Sequence, residues 1–309
     1  MDVISTRSLT KFYGKTRGVE DLSMRVPEGA VYGYLGPNGS GKTTTIRCLL
    51  GMLKPTSGEA MLFGQPVALD GSAVRARIGY VAGEVRLYDR ETGGWHLDYV
   101  AGFRGGHGRL EKDLLERFEF DPSKRVRELS KGNKQKLALI LGMAHDPDLL
   151  ILDEPTSGLD PLNQEAVYSV IDERVAEGRT VFLSSHVLSE VERVCERVGI
   201  IRLGHLVAEE SVKELLGKRL RQVQVTFAQP TAPSFLAGLP GVDNVLAVSE
   251  TVFTARARGD AVDALLKHLA TTRVADLSIQ QASLEDVFLE FYRERDASPD
   301  AEAEREESR

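Results

Sequence analysis

The sequence predicts an α/β protein in two parts, a large domain built on a mostly parallel sheet and a small α+β domain after it. Short apolar runs alternate with helical segments as far as about Glu209, which is the pattern of a doubly wound parallel sheet. A glycine-rich loop at 36–43 stands between one such run and a helix. After about Leu216 the order restarts as strand, helix, two strands, helix and strand, which is typical of a ferredoxin-like unit.

These patterns define the expected domains. A chain of 309 residues is long enough for two domains, one of them with a substantial core. We expect a nucleotide-binding domain at 1–216, with a helical subdomain at about 84–145, and a small α+β domain at 217–294. The tail at 295–309 is polar and acid-rich, and we expect it to be disordered.

The composition narrows the class of protein. A formal net charge of −7 argues against nucleic acid as the main partner. The two cysteines, Cys48 and Cys195, form no metal or disulfide pattern, and this usage suits a reducing cytosol. The first residues lack a signal sequence, and no apolar run approaches the roughly 18–20 residues that span a bilayer. We therefore expect a cytoplasmic protein.

Apolar runs and alternating segments place the strands of the large domain. Those predicted are at 3–9, 22–26, 30–35, 58–62, 78–81, 149–152, 180–183, 198–202 and 206–209. The run at 149–152 is continuously apolar, as expected for a central parallel strand that is covered on both faces.

Helical signals cluster between the strands and in the subdomain. Helical segments are predicted at 44–50, 73–76, 110–118, 163–176 and 187–197. Trp95, Tyr99 and Phe103 recur every four residues and predict one helical face. Ser130 can cap a helix that continues to His145.

The small domain has its own succession of elements. Strands are predicted at 223–227, 242–248, 252–257 and 276–280, and helices at 234–239 and 262–269. A final helix is predicted from Ser283, where Ser283 and Asp286 resemble a capping box.

The loop at 36–43 fits G-x-x-x-x-G-K-[ST], the phosphate-binding loop. Its strand–loop–helix context supports this interpretation, because glycines let several backbone N–H groups point at phosphate oxygens. The helix N-terminus adds partial positive charge, Lys42 can reach the β- and γ-phosphates, and the Thr43 hydroxyl can ligate Mg²⁺. The residues predicted to bind the nucleotide here are Gly36, Pro37, Asn38, Gly39, Ser40, Gly41, Lys42, Thr43 and Thr44. The chain is thus predicted to bind a nucleoside triphosphate.

An acidic pair follows the central strand. Asp153 and Glu154 come directly after the run at 149–152, where doubly wound sheets place their ligands. One carboxylate can hold Mg²⁺ and its neighbour can polarise an attacking water. Alone, such a pair could equally be a solvated strand end; together with the phosphate loop it predicts a hydrolytic site.

Five motifs in order give the sequence its resemblance to a family. They are the phosphate loop, Leu129-Ser130-Lys131-Gly132-Asn133, Asp153-Glu154-Pro155, Ser157-Gly158-Leu159-Asp160 and His186. The chain resembles the ATP-binding subunits of ABC transporters over about residues 3–216. The segments at 130–136 and 283–288 resemble more narrowly the branch that exports drugs, lipids or polysaccharides.

The resemblance implies roles for individual residues. Glu154 would be the general base, Asp153 would hold the metal, and His186 would contact the γ-phosphate. Ser130 and Gly132 would contact the γ-phosphate of a nucleotide held by the opposite subunit, with Asn133 in place of the family's usual glutamine. Tyr13 would stack on adenine, and Asp160 would mediate contact between the two nucleotide sites.

One position departs from the family pattern. The glutamine that usually follows Tyr80-Val81-Ala82 is replaced by Gly83, and Glu84 comes next. Glu84 could supply the lost ligand, or it could face solvent; the sequence leaves both open.

The resemblance implies an ATPase that uses ATP and Mg²⁺, forms a homodimer around two ATP molecules, and drives export through a separate integral-membrane permease. Such a subunit would lie on the cytoplasmic face of the cell membrane, and no nucleic acid partner is expected. Two alternatives remain open at this stage. They are an ABC ATPase acting on ribosomes or nucleic acid, and an ATP-binding regulatory or immunity module.

Overall fold

The computed structural model describes residues 1–67, 71–217 and 220–280, and the chain divides into two compact units, Met1–Glu210 and Ser211–Arg309. The predicted helix from Ser283 and the predicted disordered tail lie outside the described residues.

Most elements of the first unit lie near their predicted positions. Its strands are β1 (Asp2–Tyr13), β2 (Thr16–Leu22), β3 (Arg25–Pro27), β4 (Val31–Leu35), β5 (Ser57–Leu62), β6 (Gln65–Pro66), β7 (Ile78–Val81), β8 (Leu149–Asp153), β9 (Thr180–Ser185), β10 (Arg197–Arg202) and β11 (His205–Ser211). Its helices are α1 (Lys42–Leu49), α2 (Ser72–Ala76), α3 (Gly93–Arg104), α4 (Glu111–Arg117), α5 (Lys131–Met143), α6 (Pro161–Ala176) and α7 (Leu188–Val194).

The predicted mostly parallel sheet is joined by a second, antiparallel sheet. Strands β2, β1, β5 and β6 follow one another in this sheet, and β3 also pairs with β1. The prediction of one strand at 22–26 is wrong, because β2 ends at Leu22 and β3 begins at Arg25. The Thr6 side chain lies at the break, where its hydroxyl donates to Leu22 O and accepts from Met24 N–H.

The parallel sheet carries the site. Its strand order is β11-β10-β4-β9-β8-β7, and the pairs from β10 to β7 are parallel. Strands β4, β8 and β9 are buried along their whole length, as the apolar runs predicted. The carboxyl ends of these neighbouring strands therefore meet at one edge of the sheet.

The predicted helical subdomain is an insertion between β7 and β8 that contains α3, α4 and α5. Thr92 caps α3, and Ser130 caps α5 by accepting from Asn133 N–H at 3.2 Å. The aromatic face of α3 turns outward, with Tyr99 45% and Phe103 77% exposed.

The second unit begins with α8 (Val212–Gly217) and contains β12 (Leu220–Phe227), β13 (Val242–Ala247), β14 (Val252–Arg258), α9 (Val262–Leu269) and β15 (Val274–Gln280). The strands form an antiparallel sheet in the order β13-β14-β12-β15. The helix predicted at 234–239 is wrong, because only a 3₁₀ turn forms at Pro233–Phe235. Gly238 at φ +97° and Pro240 end the segment after a single turn, in which Ala237 N–H donates to Pro233 O at 3.1 Å.

Each unit has a separate apolar core. In the first, buried side chains such as Ile4, Tyr34 and Phe182 come from both sheets. In the second, Val225, Phe253 and Leu265 pack together from β12, β14 and α9. Within the described part of the chain, we find no helix with the length and apolar character to cross a bilayer.

Candidate functional site

Strand register brings three predicted motifs to the same level of the sheet. Leu35, just before the phosphate loop, is paired with Ser185 on β9, and Ser184 is paired with Asp153 on β8. His186 follows β9 directly, so the loop, the acidic pair and the histidine lie side by side. The sequence placed each motif at a strand end, and the order β4-β9-β8 brings them together.

The phosphate loop presents an uncapped helix N-terminus. Gly41 adopts φ +111°, and α1 begins after it with no side-chain cap. A Cβ at Gly41 would lie 2.5 Å from Gly18 O, so glycine is required both by conformation and by space. The first N–H groups of α1 have no partner inside the helix and, with its dipole, favour an anion.

Lys42 is a buried cation at this helix end. Its side chain is 5% exposed, and its Nζ donates to Gly36 O at 2.5 Å and to Pro37 O at 3.2 Å. Burial lowers the pKa of Lys42, while the nearby carboxylates of Glu154 and Asp153 oppose that shift. The loop thus holds the ammonium group close to the acidic pair, 3.5 Å from Glu154 Oε1.

The rest of the loop forms an exposed turn with one buried hydroxyl. Pro37, Asn38 and Gly39 are exposed, and Gly39 has φ +80°. The buried Ser40 Oγ has no hydrogen-bond partner among the described residues. An unsatisfied hydroxyl in a phosphate-binding loop fits a site completed by a ligand.

Asp153 is held between two hydroxyl groups. Thr43 donates to Asp153 Oδ2 at 3.0 Å, and Ser184 donates to Asp153 Oδ1. A Cβ at Gly83 would lie 3.4 Å from Asp153 Cγ, so the end of β7 also faces this carboxylate. A hydroxyl and a carboxylate are oxygen donors of the kind that Mg²⁺ prefers, so these residues fit a magnesium site.

Glu154 has a backbone conformation that is uncommon for a glutamate. Its φ is +50°, and its N–H donates to Ser184 O at 3.0 Å, which anchors the turn to β9. Its carboxylate Oε1 lies 3.1 Å from His186 Nδ1. The Glu154 side chain is 23% exposed and that of His186 46%, so water can reach both.

The start of α5 faces the loop that follows Glu154. Gln135 donates to Pro155 O at 2.8 Å, and a Cβ at Gly132 would lie 3.0 Å from Gly158 O. Ser130 is exposed, and its hydroxyl accepts from Asn133 N–H. Among the described contacts, Ser130 and Gly132 are thus separate from the cluster around Lys42.

Two further predicted residues lie at the rim. Tyr13 ends β1 and is 46% exposed, with its hydroxyl 3.4 Å from Thr44 Oγ1. Asp160 caps α6 by accepting from Asn163 N–H at 3.0 Å, and the hydrogen bonds from Asn163 lower the pKa of Asp160.

Glu84 lies on the surface beside Arg86. Its carboxylate is paired with Arg86 at 3.0 Å, and its side chain is 79% exposed. Of the two alternatives left open by the sequence, this geometry favours a solvent-facing Glu84.

Three residues that make buried contacts at the site were absent from the sequence-based prediction. Ser184 holds Asp153, Gln135 ties α5 to Pro155, and Glu190 accepts from Thr156 and Ser185. Only Ser184 had a signal in the sequence, since it stands at the end of a predicted strand beside the histidine.

Comparison with known proteins shows the family to which the chain belongs. The family described as ABC transporter matches residues 19–157. The bacitracin transport ATP-binding protein BcrA of Bacillus licheniformis is 40% identical over 224 residues, covering 71% of this chain and 73% of that protein. The Nod factor export ATP-binding protein I of Paraburkholderia xenovorans (strain LB400) is 35% identical over 286 residues, covering 90% of this chain and 93% of that protein.

Solved structures share the fold of the first unit. An ATP-binding subunit of an ABC transporter has 29% identity and a TM-score of 0.64, covering 69% of this chain and 91% of that one. The dimeric cassette MJ0796 has 23% identity and a TM-score of 0.62, covering 68% of this chain and 98% of that one. The predicted family resemblance is confirmed: this chain belongs to the ABC transporter family and is an ATP-binding subunit with an ABC ATPase domain.

Proposed function

We propose that this chain hydrolyses MgATP as one half of a homodimer that closes around two ATP molecules and drives export through a separate membrane permease. The observation that carries the proposal is the meeting of the phosphate loop, Asp153, Glu154 and His186 at one edge of the parallel sheet.

The phosphate loop binds the triphosphate. The unpaired N–H groups at the start of α1 and the buried Lys42 supply positive charge, and the Ser40 hydroxyl supplies a further donor. Tyr13 stacks on the adenine base, because its ring is exposed beside Thr44 at the start of the same helix. The remaining loop residues, Gly36 to Gly39 and Gly41, shape the backbone around the phosphates.

Thr43 and Asp153 hold the magnesium ion. Their oxygens already lie 3.0 Å apart, and Ser184 orients the carboxylate from the other side. The ion, when bound, neutralises negative charge on the phosphates during transfer.

Glu154 is the general base and His186 the contact to the γ-phosphate. The Glu154 carboxylate Oε1 lies 3.5 Å from Lys42 Nζ and 3.1 Å from His186 Nδ1. When phosphate oxygens take over the contacts of Lys42 and His186, the glutamate is free to accept a proton from water.

The dimer completes each site with residues from the opposite subunit. Ser130 and Gly132 stand exposed or half-buried at the start of α5, outside the cluster that surrounds Lys42. Across a dimer interface, their hydroxyl and N–H groups and the α5 dipole contact the γ-phosphate. Asp160 and the 85% exposed Leu162 lie at the start of α6 on the same interface.

Export and a membrane partner are inferred from relatives whose names refer to bacitracin transport and Nod factor export. The partner is an integral-membrane permease, which would bring this chain to the cytoplasmic face of the membrane. We propose that the permease contacts the exposed aromatic face of α3. There the ring centroid of Tyr99 lies 4.9 Å from that of Trp95, on which it stacks, and 5.0 Å from that of Phe103. This face is close to the segment after Gly83, because Tyr88 contacts Trp95 at 5.5 Å.

We also propose that the residues at 217–294 are a ferredoxin-like domain. The order β13-β14-β12-β15 with antiparallel pairs supports this assignment, although one crossover is a 3₁₀ turn. The nucleotide-binding domain then corresponds to 1–216, with its helical subdomain at about 84–145.

The decisive experiment uses Glu154→Gln, which keeps the shape of the side chain but cannot accept a proton. We expect MgATP affinity close to that of the unchanged protein, hydrolysis at least 100-fold slower, and accumulation of an ATP-dependent dimer. Calorimetry, a phosphate-release assay and size-exclusion chromatography with and without ATP measure these three quantities.

Glu173→Gln is a matched control, because Glu173 pairs with Arg117 on the outside of α6. It should hydrolyse ATP normally. A Glu154→Gln variant that turns over at the normal rate and stays monomeric would refute both the base assignment and the closed dimer.

A further inference from the structure

A buried carboxylate lies behind the site and has no role in the function proposed above. Glu190 belongs to α7 and is 8% exposed. Its Oε2 accepts from Ser185 Oγ at 2.6 Å, and its Oε1 accepts from Thr156 Oγ1. Thr156 and Ser185 are themselves 3% and 1% exposed, so these hydrogen bonds are shielded from water.

The two hydroxyl groups belong to the two loops that carry the site's proton chemistry. Thr156 follows Glu154 by two positions, and Ser185 directly precedes His186. Ser185 Oγ also accepts from Val187 N–H at 2.9 Å, so the same hydroxyl fixes both sides of the histidine. One carboxylate therefore holds the Glu154 loop and the His186 turn at once.

Electrostatics explain why a carboxylate is suited to this position. Among the ion pairs of the described residues, none includes Glu190, whereas Arg193 on the same helix pairs with Glu165 and Asp172. Tyr168 adds a third hydroxyl: burial, the negative charge of Glu190 and a hydrogen bond to Glu190 all raise the pKa of Tyr168. An ionised carboxylate accepts several hydrogen bonds and donates none, so it can collect hydroxyl groups from separate segments.

Burial of the Glu190 carboxylate costs folding free energy, so a gain in local stability does not explain its presence. A buried carboxylate without a cationic partner is unfavourable, and only its hydrogen bonds offset the desolvation. The hydroxyl groups that donate these hydrogen bonds lie on the two catalytic loops and on α6. Glu190 therefore contributes to the geometry of the site.

We propose that Glu190 is a positioning residue, which holds Glu154 and His186 in the relative arrangement that the reaction needs. This inference rests on the roles proposed above for those two residues. Glu190 does not contact the nucleotide; it acts through Thr156 and Ser185, and the 3.1 Å approach of His186 Nδ1 to Glu154 Oε1 depends on it.

The test compares Glu190→Gln with Glu165→Gln in the full chain. The first change keeps the volume but replaces one acceptor oxygen with a donor NH₂ group, which cannot accept from a hydroxyl. The second removes a carboxylate that binds Arg193 of α7 but contacts neither loop. We expect Glu190→Gln to lower kcat by about 10- to 100-fold, as small misplacements of reacting groups do, with MgATP affinity changed less than about threefold. Glu165→Gln should leave kcat unchanged.

Two further comparisons separate positioning from general support of the fold. In a His186→Ala background, Glu190→Gln should lower kcat by a smaller factor than in the unchanged protein, because only its action through Thr156 on Glu154 remains. Thr156→Ser, which keeps the hydroxyl, should hydrolyse ATP faster than Thr156→Val, which removes it.

Three results would overturn the inference. They are an unchanged kcat in Glu190→Gln, a loss of MgATP affinity as large as the loss of kcat, and a full additive effect in the His186→Ala background. These are distinct from failure of the proposed function, for which normal hydrolysis by Glu154→Gln is the sign. Slow Glu154→Gln with normal Glu190→Gln would refute the positioning role alone.

Discussion

Glu154 shows how the site imposes a conformation on a single residue. Its φ of +50° lies in the left-handed region, which is uncommon for a side chain of this size. The hydrogen bond from its N–H to Ser184 O holds the backbone there, and its carboxylate faces Lys42 and His186. Such local strain persists where surrounding contacts determine it, and here they direct the carboxylate toward the phosphate loop.

Gly83 is the position where the chain departs from the family pattern, and it leads to a prediction. Its φ is not in the left-handed region, and a Cβ there would lie 3.3 Å from Asp153 O. Gly83→Gln should fold after a shift of a few tenths of an ångström at Asp153 O, with its amide beside Asp153, and should not lower the hydrolysis rate. Glu84→Ala should leave hydrolysis and its Mg²⁺ dependence unchanged, because the Glu84 carboxylate is paired with Arg86 in solvent.

Steady-state hydrolysis at a series of Mg²⁺ concentrations measures both variants. A higher Mg²⁺ requirement in Glu84→Ala would mean that the loop turns during turnover and that Glu84 replaces the missing ligand. In that case, a variant with both Gly83→Gln and Glu84→Ala shows whether the glutamine restores the normal Mg²⁺ requirement.

At the scale of elements, a buried charge network joins the helical insertion to the sheet. Asp146, whose side chain is 7% exposed, precedes β8 and lies 2.7 Å from Arg109, 2.6 Å from Arg179 and 3.6 Å from Arg174. Arg109 precedes α4, Arg174 lies on α6 and Arg179 precedes β9. A single carboxylate thus connects the insertion with α6 and with the residue before β9.

Removing this charge should destabilise the first unit. In Asp146→Asn we expect a loss of about 2 kcal/mol, because Arg109 and Arg179 each lose a charged hydrogen-bond acceptor while keeping a second carboxylate, Glu177 or Asp148. The backbone should be unaffected, since Asp146 has φ +54° and asparagine tolerates that region. Asp148→Asn removes a carboxylate that is 36% exposed and should cost less than about 1 kcal/mol. Urea denaturation followed by the fluorescence of Trp95, the one tryptophan of the chain, reports on this unit.

The same network predicts a dependence on pH. Burial tends to raise the pKa of Asp146, but hydrogen bonds from Arg109 and Arg179 outweigh it and lower the pKa below the ordinary 3.8. The contribution of Asp146 is therefore complete above that ordinary value and is lost as the pH falls through the lower folded-state pKa. In acid, the difference in stability between the unchanged protein and Asp146→Asn should shrink; a constant difference would contradict this assignment.

At the scale of the whole molecule, the two cores are built from separate parts of the chain. The buried clusters of the first unit and of the second unit share no residue. All residues proposed to contact the nucleotide lie before residue 211, within the first unit. The second unit thus has its own sheet and core without any of the assigned site residues.

A fragment of residues 1–216 should therefore fold and bind MgATP. We expect its affinity to be within about threefold of the full chain and its melting to be cooperative, because it keeps its core. Calorimetry and thermal melting followed by circular dichroism measure the two quantities. Loss of cooperative melting in the fragment would show that the second unit is needed to complete the first.

The sequence alone determined the family, the parallel sheet and the motifs that carry chemistry. These features are readable because each is a local pattern: a glycine-rich loop after a buried strand, an acidic pair after another, an apolar run covered on both faces. The ordered set of motifs also identified the family, which the comparisons confirm. Patterns within a few residues can be recognised without knowing which strands pair.

Only the tertiary structure decided which of these patterns meet. Placing β9 between β4 and β8 brings Ser184 to Asp153 and His186 to Glu154, across sequence separations that no local pattern encodes. It also separates the first strands into their own antiparallel sheet, turns the aromatic face of α3 outward and buries Glu190 behind the site. These outcomes depend on strand order and on the side chains available at each contact, which are properties of the packed chain rather than of any segment.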